Sequence, residues 1–205
     1  MQAVIDSKQS GIEKLSEMIL EKLTARKKLE RIDYLKCKLG IETFLCNVSK
    51  LSVIYTVAML MDLTLPVFLF HLAYMSIRSY AYGAHSESSL NCTIISCLIL
   101  VGIPFILGLA QVPRSVFMIL YCINHFILKR YAPAATRKNG MTYIKSDRKE
   151  KLKTKVLKMN LITFILALIM PNLLIGNLVM FGTLTASLMA TPFTYKLLKN
   201  EWRDA

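Results

Sequence analysis

The sequence feature that most constrains the fold is a run of 37 residues, 159–195, that contains no Asp, Glu, Lys or Arg. A helix needs about 20 predominantly apolar residues to cross a hydrocarbon core roughly 30 Å thick, so the run is long enough for more than one crossing. The 22 residues before it, 137–158, carry nine Lys or Arg. Apolar and basic residues are therefore segregated along the chain, which predicts an integral membrane protein.

Composition supports this interpretation, because the chain is 54% hydrophobic and still carries a formal charge of +13. An ordinary soluble domain does not combine these two properties. The five cysteines are an odd number without metal-type spacing or the density of a disulfide scaffold, which favours free thiols in a reducing compartment. There is also no GxxxxGK[ST] phosphate-binding loop. We expect no metal, no cofactor and no nucleic-acid partner, and we expect membrane lipids to be among the partners.

Six hydrophobic stretches predict an all-α, polytopic integral membrane protein with about six transmembrane helices, at about 41–61, 63–78, 92–110, 113–128, 157–174 and 178–195. Before them, apolar residues at helical spacing among charges over 8–35 predict an amphipathic helix on the membrane or on a partner. The second and fourth stretches are short for a span, and a homodimer would give them lateral support. Prolines at 66 and 104 are expected inside spans, and turns are expected at Val112-Pro113 and over 171–177.

The distribution of positive charge orients these spans, because Lys and Arg in short loops stay on the cytoplasmic side. Six spans place both termini and 25 of the 26 Lys and Arg residues inside, with Arg114 alone outside. A competing scheme with one span over 51–75 buries Asp62 and moves the basic loop outside, so we reject it. The predicted organisation is an interfacial segment 1–40, a transmembrane domain 41–198 and a cytoplasmic tail 199–205, in the bacterial cytoplasmic membrane.

The segment that carries chemistry is RSYAYGAHSESSLNC, residues 78–92, a short polar stretch between the second and third spans. It contains His85 and Cys92, and an imidazole can take the proton of a thiol near neutral pH to generate a nucleophilic thiolate. In an unbroken helix these residues would be about 10.5 Å apart along the axis, so a loop that folds back at Gly83 is expected. Cys92 would then occupy the first turn of the next helix, where N–H groups favour an anion.

Two other interpretations of this segment stay open. A small membrane transporter or exporter would carry His85 and Cys92 incidentally, since a cysteine at a helix end is often small apolar filler. A non-catalytic scaffold would bind a partner through the N-terminal helix. The sequence has few charges inside its hydrophobic stretches, which argues mildly against a transporter.

The stretch IRSYAYGAHSESSLNC, followed after the fourth span by KRYAPAATRKNG, resembles the accessory gene regulator protein B family, AgrB, of Gram-positive bacteria. The match consists of Arg78, Gly83, His85 and Cys92 in that order, and of the block YAPAAT from Tyr131 to Thr136. Some family members have a second basic residue where this chain has Ser79, so contacts of the loop are expected to differ there.

The resemblance implies a membrane cysteine endopeptidase that processes an AgrD-like precursor of a cyclic quorum-sensing peptide. Cys92 corresponds to the nucleophile and His85 to its base, which implies a Cys-His dyad. The family removes the C-terminal tail of the precursor, holds the signal peptide as an acyl-enzyme and releases it by ring closure. In this interpretation Gly83 serves backbone geometry, and Arg78 anchors the end of the second span or contacts the substrate or the active-site loop.

The basic loop 129–158 contains 11 Lys or Arg and two acidic residues. It is expected either to lie on anionic lipid headgroups as a determinant of topology or to recruit the acidic tail of the precursor. The candidate residues for contact with the tail are Lys129, Arg130, Lys145, Arg148, Lys149, Lys151 and Lys153. His71 and His125 lie inside spans, where we expect hydrogen bonds between helices.

Overall fold

A computed structural model describes residues 11–24, 30–83, 89–134 and 146–198. These residues form eight α-helices and one 3₁₀ turn, Arg114–Val116, that precedes α5. The helices are α1 (Gly11–Thr24), α2 (Arg31–Leu60), α3 (Thr64–Ala81), α4 (Ser89–Leu109), α5 (Phe117–Tyr131), α6 (Ser146–Ile169), α7 (Leu173–Leu188) and α8 (Pro192–Leu197). Within these residues the only β-type pairing is an isolated parallel bridge between Tyr82 and Ala134. The chain divides into two compact units, 1–53 and 54–205.

The first unit contains α1 and the first part of α2, joined by polar contacts. Lys38 Nζ donates to Glu17 Oε1 at 2.6 Å, and this hydrogen bond raises the pKa of Lys38. Ser16 Oγ donates to Glu42 Oε1 at 3.3 Å, while Leu20 is buried. Of the amphipathic helix expected over 8–35, the described residues show α1, Gly11–Thr24, and the start of α2 at Arg31, while 8–10 and 25–29 lie outside the described residues.

The second unit is built around α7, which buries residues along its whole length. Gly182 lets α7 approach α3 closely, since a Cβ at this position would lie 2.7 Å from the Phe70 carbonyl oxygen and 3.0 Å from Ala73 Cβ. Small residues permit such contacts between helices in membranes. A second close approach occurs at Gly176, where a Cβ would meet the Ala167 carbonyl oxygen at 2.9 Å. The packing of α3 and α6 on α7 therefore depends on glycine, which has no side chain, at positions 182 and 176.

The outer surface of the second unit is rich in apolar side chains. Leu60, Leu98, Leu109 and Phe126 are each more than two thirds exposed, and other large hydrophobic residues of α3 to α7 are exposed as well. Soluble monomers rarely expose apolar surface on this scale. Two helical segments, Arg31–Leu60 and Cys92–Leu109, are long and apolar enough to cross a membrane. These properties are consistent with a membrane protein.

A helix lies over each of the six predicted stretches, with different limits. Between α2 and α3 the chain turns at Met61 and Asp62, and Asp62 is exposed with φ 55°, so a single helix over 51–75 is excluded. Pro66 falls in the first turn of α3, where its missing N–H costs no helical hydrogen bond, whereas Pro104 lies inside α4. The last stretch was expected to reach residue 195, but α7 ends at Leu188.

Buried polar side chains connect the helices of the second unit. Asn124 of α5 donates from Nδ2 to Thr183 Oγ1 at 3.1 Å and accepts at Oδ1 from Ser187 Oγ at 2.6 Å. The hydrogen bond expected for His71 is present, since its Nδ1 lies 3.1 Å from the Tyr55 hydroxyl of α2. The bond expected for His125 is not found, because its buried Nδ1 has no partner among the residues that the structure describes.

The turn between α6 and α7 is shorter than expected. The turn was predicted over 171–177, but α7 begins at Leu173, so Gly176 and Asn177 belong to its first two turns. The Asn177 side chain bonds both the N–H and the carbonyl of Val112, each at 3.0 Å. Arg114 donates to the carbonyl of Pro171 at 2.8 Å and also to that of Met170. These bonds satisfy carbonyls that the end of α6 leaves without helical partners.

Candidate active site

Cys92 lies in the first turn of α4, the fourth residue of a helix that begins at Ser89. Its side chain is half-buried and its thiol is free. The first N–H groups of a helix have no helical acceptor, and the helix dipole adds a partial positive charge at this end. The position expected from the sequence is therefore the observed one, and it suits a group that becomes negatively charged during a reaction.

His85 lies within 84–88, outside the residues that the structure describes. Its pairing with Cys92 stays a prediction from the sequence. The structure describes the residues up to Gly83 and the residues from Ser89 onward. The candidate site is therefore described from the residues on either side of 84–88.

The end of α3 has an unusual backbone that is held by Arg78. Arg78 Nη1 donates to the Tyr82 carbonyl oxygen at 2.6 Å. Tyr82 and Gly83 have φ values of 56° and 130°, which favour glycine at position 83. A Cβ on Gly83 would overlap Arg78 Nη1 and would lie 2.5 Å from the Met189 carbonyl oxygen. Gly83 thus has the backbone role that the sequence indicated, pressed between a guanidinium and the end of α7.

The second sequence block, YAPAAT, contacts the same place. The Ala134 N–H donates to the Ala81 carbonyl oxygen at 2.9 Å, and Tyr82 forms the parallel bridge with Ala134. The peptide bond between Ala132 and Pro133 is cis, and both alanines, 132 and 134, are buried. The two motifs that carry the family resemblance are therefore adjacent in space, although about 50 residues separate them in the chain.

A third segment, 189–195, completes the arrangement, and sequence reasoning missed it. The Tyr195 side chain of α8 is fully buried and packs with Ala134 and Ala190. Thr191 and Thr194 each donate from Oγ1 to the Leu188 carbonyl at 2.7 Å, which ties α8 back to α7. The available signal was a tyrosine and two threonines at the end of a run without charged residues. We call Arg78, Gly83, Ala134, Met189 and Tyr195 the α3–α8 junction.

Tyr195 is the polar side chain that the α3–α8 junction buries completely. Its hydroxyl is buried and has no hydrogen-bond partner among the residues that the structure describes. A buried hydroxyl without a partner is costly, so its presence calls for an explanation.

The basic residues predicted to bind the precursor tail lie on two helices. Lys129 and Arg130 are exposed in the last turn of α5, while Arg148, Lys149, Lys151 and Lys153 lie in the first turns of α6. Lys145 lies outside the described residues. Lys151 pairs with Asp147 at 2.8 Å, an exposed ion pair of small energetic value. Lys155 lies 6.0 Å above the Tyr80 ring, which connects α6 with the end of α3.

Comparison with known proteins gives a consistent result. The model of the accessory gene regulator B family matches residues 12–191. An AgrB-like protein of Listeria innocua is 32% identical over 192 residues, which is 94% of this chain and 92% of the relative. Accessory gene regulator protein B of Staphylococcus carnosus is 37% identical over 130 residues, 63% of this chain and 68% of the relative. No solved structure gives a significant match.

Proposed function

Because this chain belongs to the accessory gene regulator B family, we propose that it is a membrane cysteine endopeptidase that removes the C-terminal tail of a quorum-sensing propeptide. Membership implies a part in processing the quorum-sensing peptide of the accessory gene regulator system. The observation that carries the finer proposal is the place of Cys92, half-buried in the first turn of α4. There a thiolate and an oxyanion would both be stabilised by backbone N–H groups.

The reaction begins with transfer of the Cys92 thiol proton to the His85 imidazole. The thiolate sulfur attacks the carbonyl carbon of the scissile peptide bond, and the carbonyl oxygen becomes an oxyanion. Collapse of this intermediate breaks the C–N bond, and the imidazolium returns its proton to the leaving amine of the tail. The quorum-sensing part of the precursor remains attached to Cys92 as a thioester.

Ring closure releases the signal peptide from the enzyme. An internal thiol or hydroxyl of the peptide attacks the thioester carbonyl, its proton passes to His85, and the Cys92 thiolate leaves. A thiolactone or a lactone results, and neither water nor an external energy source is consumed. Exclusion of water from the thioester is needed for this outcome, because hydrolysis would give a linear peptide. The apolar surroundings of a membrane protein favour such exclusion.

Partners of the proposed reaction are an AgrD-like precursor and membrane lipids. The cation-rich ends of α5 and α6 carry a charge opposite to that of an acidic precursor tail. A homodimer remains part of the proposal, because large apolar side chains cover the outside of α2 and α4.

The test is co-expression of the chain with a precursor that carries a label on its C-terminal tail. Cys92→Ala and His85→Ala are expected to abolish release of the tail, with wild-type amounts of protein in the membrane. The matched control is Cys97→Ala, since Cys97 is a half-buried free thiol on the same helix. Wild-type enzyme should also yield a Cys92 adduct that hydroxylamine cleaves. Continued tail release by Cys92→Ala would refute the proposal and favour a transporter or a scaffold.

A further inference from the structure

Two side chains of α5 and α6 carry buried polar atoms that their packing leaves without partners. His125 Nδ1 and Asn160 Nδ2 are both buried, and neither has a hydrogen-bond partner among the residues that the structure describes. Asn160 is 1% exposed. An unpaired polar atom inside a membrane protein is costly, because neither lipid nor apolar side chains can form a hydrogen bond with it. In native structures such atoms are usually satisfied by protein groups or by ordered water.

The α5–α6 pair is antiparallel, as two apolar clusters show. Leu128 of α5 shares one cluster with Val156 of α6. Phe117 of α5 shares the other with Ala167 of α6. Residue numbers therefore rise along α5 where they fall along α6, so a step of one turn toward Leu128 on α5 corresponds to a step of one turn toward Val156 on α6.

This register places His125 and Asn160 at the same level of the helix pair. Tyr121 of α5 stacks on Phe164 of α6, with 4.5 Å between the ring centroids. His125 follows Tyr121 by four residues, and its ring centroid lies 5.8 Å from that of Tyr121. Asn160 precedes Phe164 by four residues. Because residues four apart share one helix face, His125 and Asn160 lie one turn from the stacked pair, in the same direction and on the facing sides.

Asn124 extends this polar level to α7. Its side chain bonds Thr183 at 3.1 Å and Ser187 at 2.6 Å, and all three residues are buried. Three helices therefore carry amide, imidazole and hydroxyl groups between the two apolar clusters. A buried water molecule needs about two to four polar groups around it, and this level of the bundle is polar enough to hold one.

We propose that α5 and α6 bind one water molecule between His125 and Asn160. The water accepts a hydrogen bond from Asn160 Nδ2 and donates one to His125 Nδ1, so that both buried atoms are satisfied. The two side chains do not bond each other directly, since neither atom has a partner. Such a water fixes which face of α6 meets α5, a choice that apolar packing in a membrane leaves open. The inference does not depend on the proposed reaction of Cys92.

The first test detects the water in the wild-type protein by nuclear magnetic resonance in lipid bilayers. With isotopically labelled histidine, magnetisation from water protons should reach the His125 imidazole, whose signals are identified by their loss in His125→Phe. Asn160→Leu should abolish this transfer and move the Nδ1 resonance toward that of a nitrogen without a hydrogen bond, because one of the two groups that hold the water is gone.

Two outcomes of this measurement would overturn the proposal. One is the lack of magnetisation transfer to His125 in the wild-type protein. The other is a transfer that Asn160→Leu leaves unchanged, since the amide would then take no part in binding the water.

The second test is a double-mutant cycle on thermal unfolding. Asn160→Leu and His125→Phe should each lower the unfolding temperature, because each change leaves the other group buried with fewer hydrogen bonds. Both changes together should lower it by less than the sum of the two shifts, since the second removes the group that the first left unpaired. Fully additive shifts would contradict a shared water molecule.

The matched control combines Asn160→Leu with His71→Phe. His71 is also a histidine inside a predicted span, but it belongs to α3 and its Nδ1 lies 3.1 Å from the Tyr55 hydroxyl of α2. The shifts of this pair should add, because the two residues share no partner. A shortfall equal to that of the His125 pair would show that the coupling is not local, and the proposal would fail.

Discussion

At Gly83, the absence of a Cβ atom allows a backbone conformation and a close contact that other residues would not allow. Its φ of 130° and its contacts with Arg78 and Met189 leave no room for a side chain. Nothing in the spacing of the motif distinguishes this tight contact from an ordinary loop glycine. The sequence thus predicted that a glycine is needed for the turn, while the packing against α7 comes from the structure.

Gly83→Ala is expected to impair both stability and activity. The strained φ and the overlap with the Met189 carbonyl should destabilise the protein by about 1–3 kcal/mol, and tail release should fall at least about tenfold. Thermal unfolding in detergent and the labelled-tail assay measure the two effects. Gly108→Ala is the control, because no atom lies within 4 Å of a Cβ at that position. Indistinguishable results for the two variants would contradict this account of Gly83.

At the scale of elements, the pairing of α3 with α7 determines where Arg78 meets the end of α7. Gly182 brings the two helices into backbone contact, and the buried core from Ile77 and Ala81 of α3 to Ala186 of α7 continues that contact toward the junction. Hydropathy identified both helices but not their pairing, because both are apolar on several sides. The close contact of α3 with α7 therefore determines the position of the α3–α8 junction.

Gly182→Ala is expected to push α3 away from α7. A Cβ 2.7 Å from the Phe70 backbone oxygen requires movement of a helix and not of a flexible side chain. Overpacking of this kind typically costs about 1–3 kcal/mol, so the unfolding temperature should fall. Gly102→Ala, where the added Cβ meets open space, should leave it unchanged. An unaltered unfolding temperature for Gly182→Ala would mean that the helices are not held at this distance.

Lys145 and the basic residues in the first turns of α6 belong to the same scale. Changing Lys145, Arg148, Lys149, Lys151 and Lys153 together to Gln should raise KM for the precursor by at least about fivefold with kcat little changed, because long-range attraction acts on association. Six other Lys and Arg residues remain in 129–158 to maintain topology. The control exchanges Lys and Arg at the same five positions. If KM is unchanged in correctly inserted protein, this segment does not recruit the tail.

For the whole molecule, the distribution of positive charge predicts the orientation in the membrane. In the preferred topology the turn at Asp62 faces outward, while Cys92 faces the cytoplasm. With the four other cysteines replaced, a cysteine at Asp62 should react with an impermeant maleimide added to intact cells, and Cys92 should react only after the membrane is permeabilised. Labelling of Cys92 from outside would overturn the topology and the proposed catalytic compartment.

The sequence by itself determined the helical class, the apolar stretches, the turn at Asp62 and the motifs that identify the family, because hydropathy, charge and short motifs are local properties of the chain. It placed Cys92 in the first turn of a helix for the same reason. Only the tertiary structure joined residues 81–83, 132–134 and 189–195 and assigned a place to Tyr195. Contacts between such distant segments depend on which helix faces pack together. In a membrane, the faces that contact lipid and the faces that contact other helices are both apolar, so hydropathy does not distinguish them.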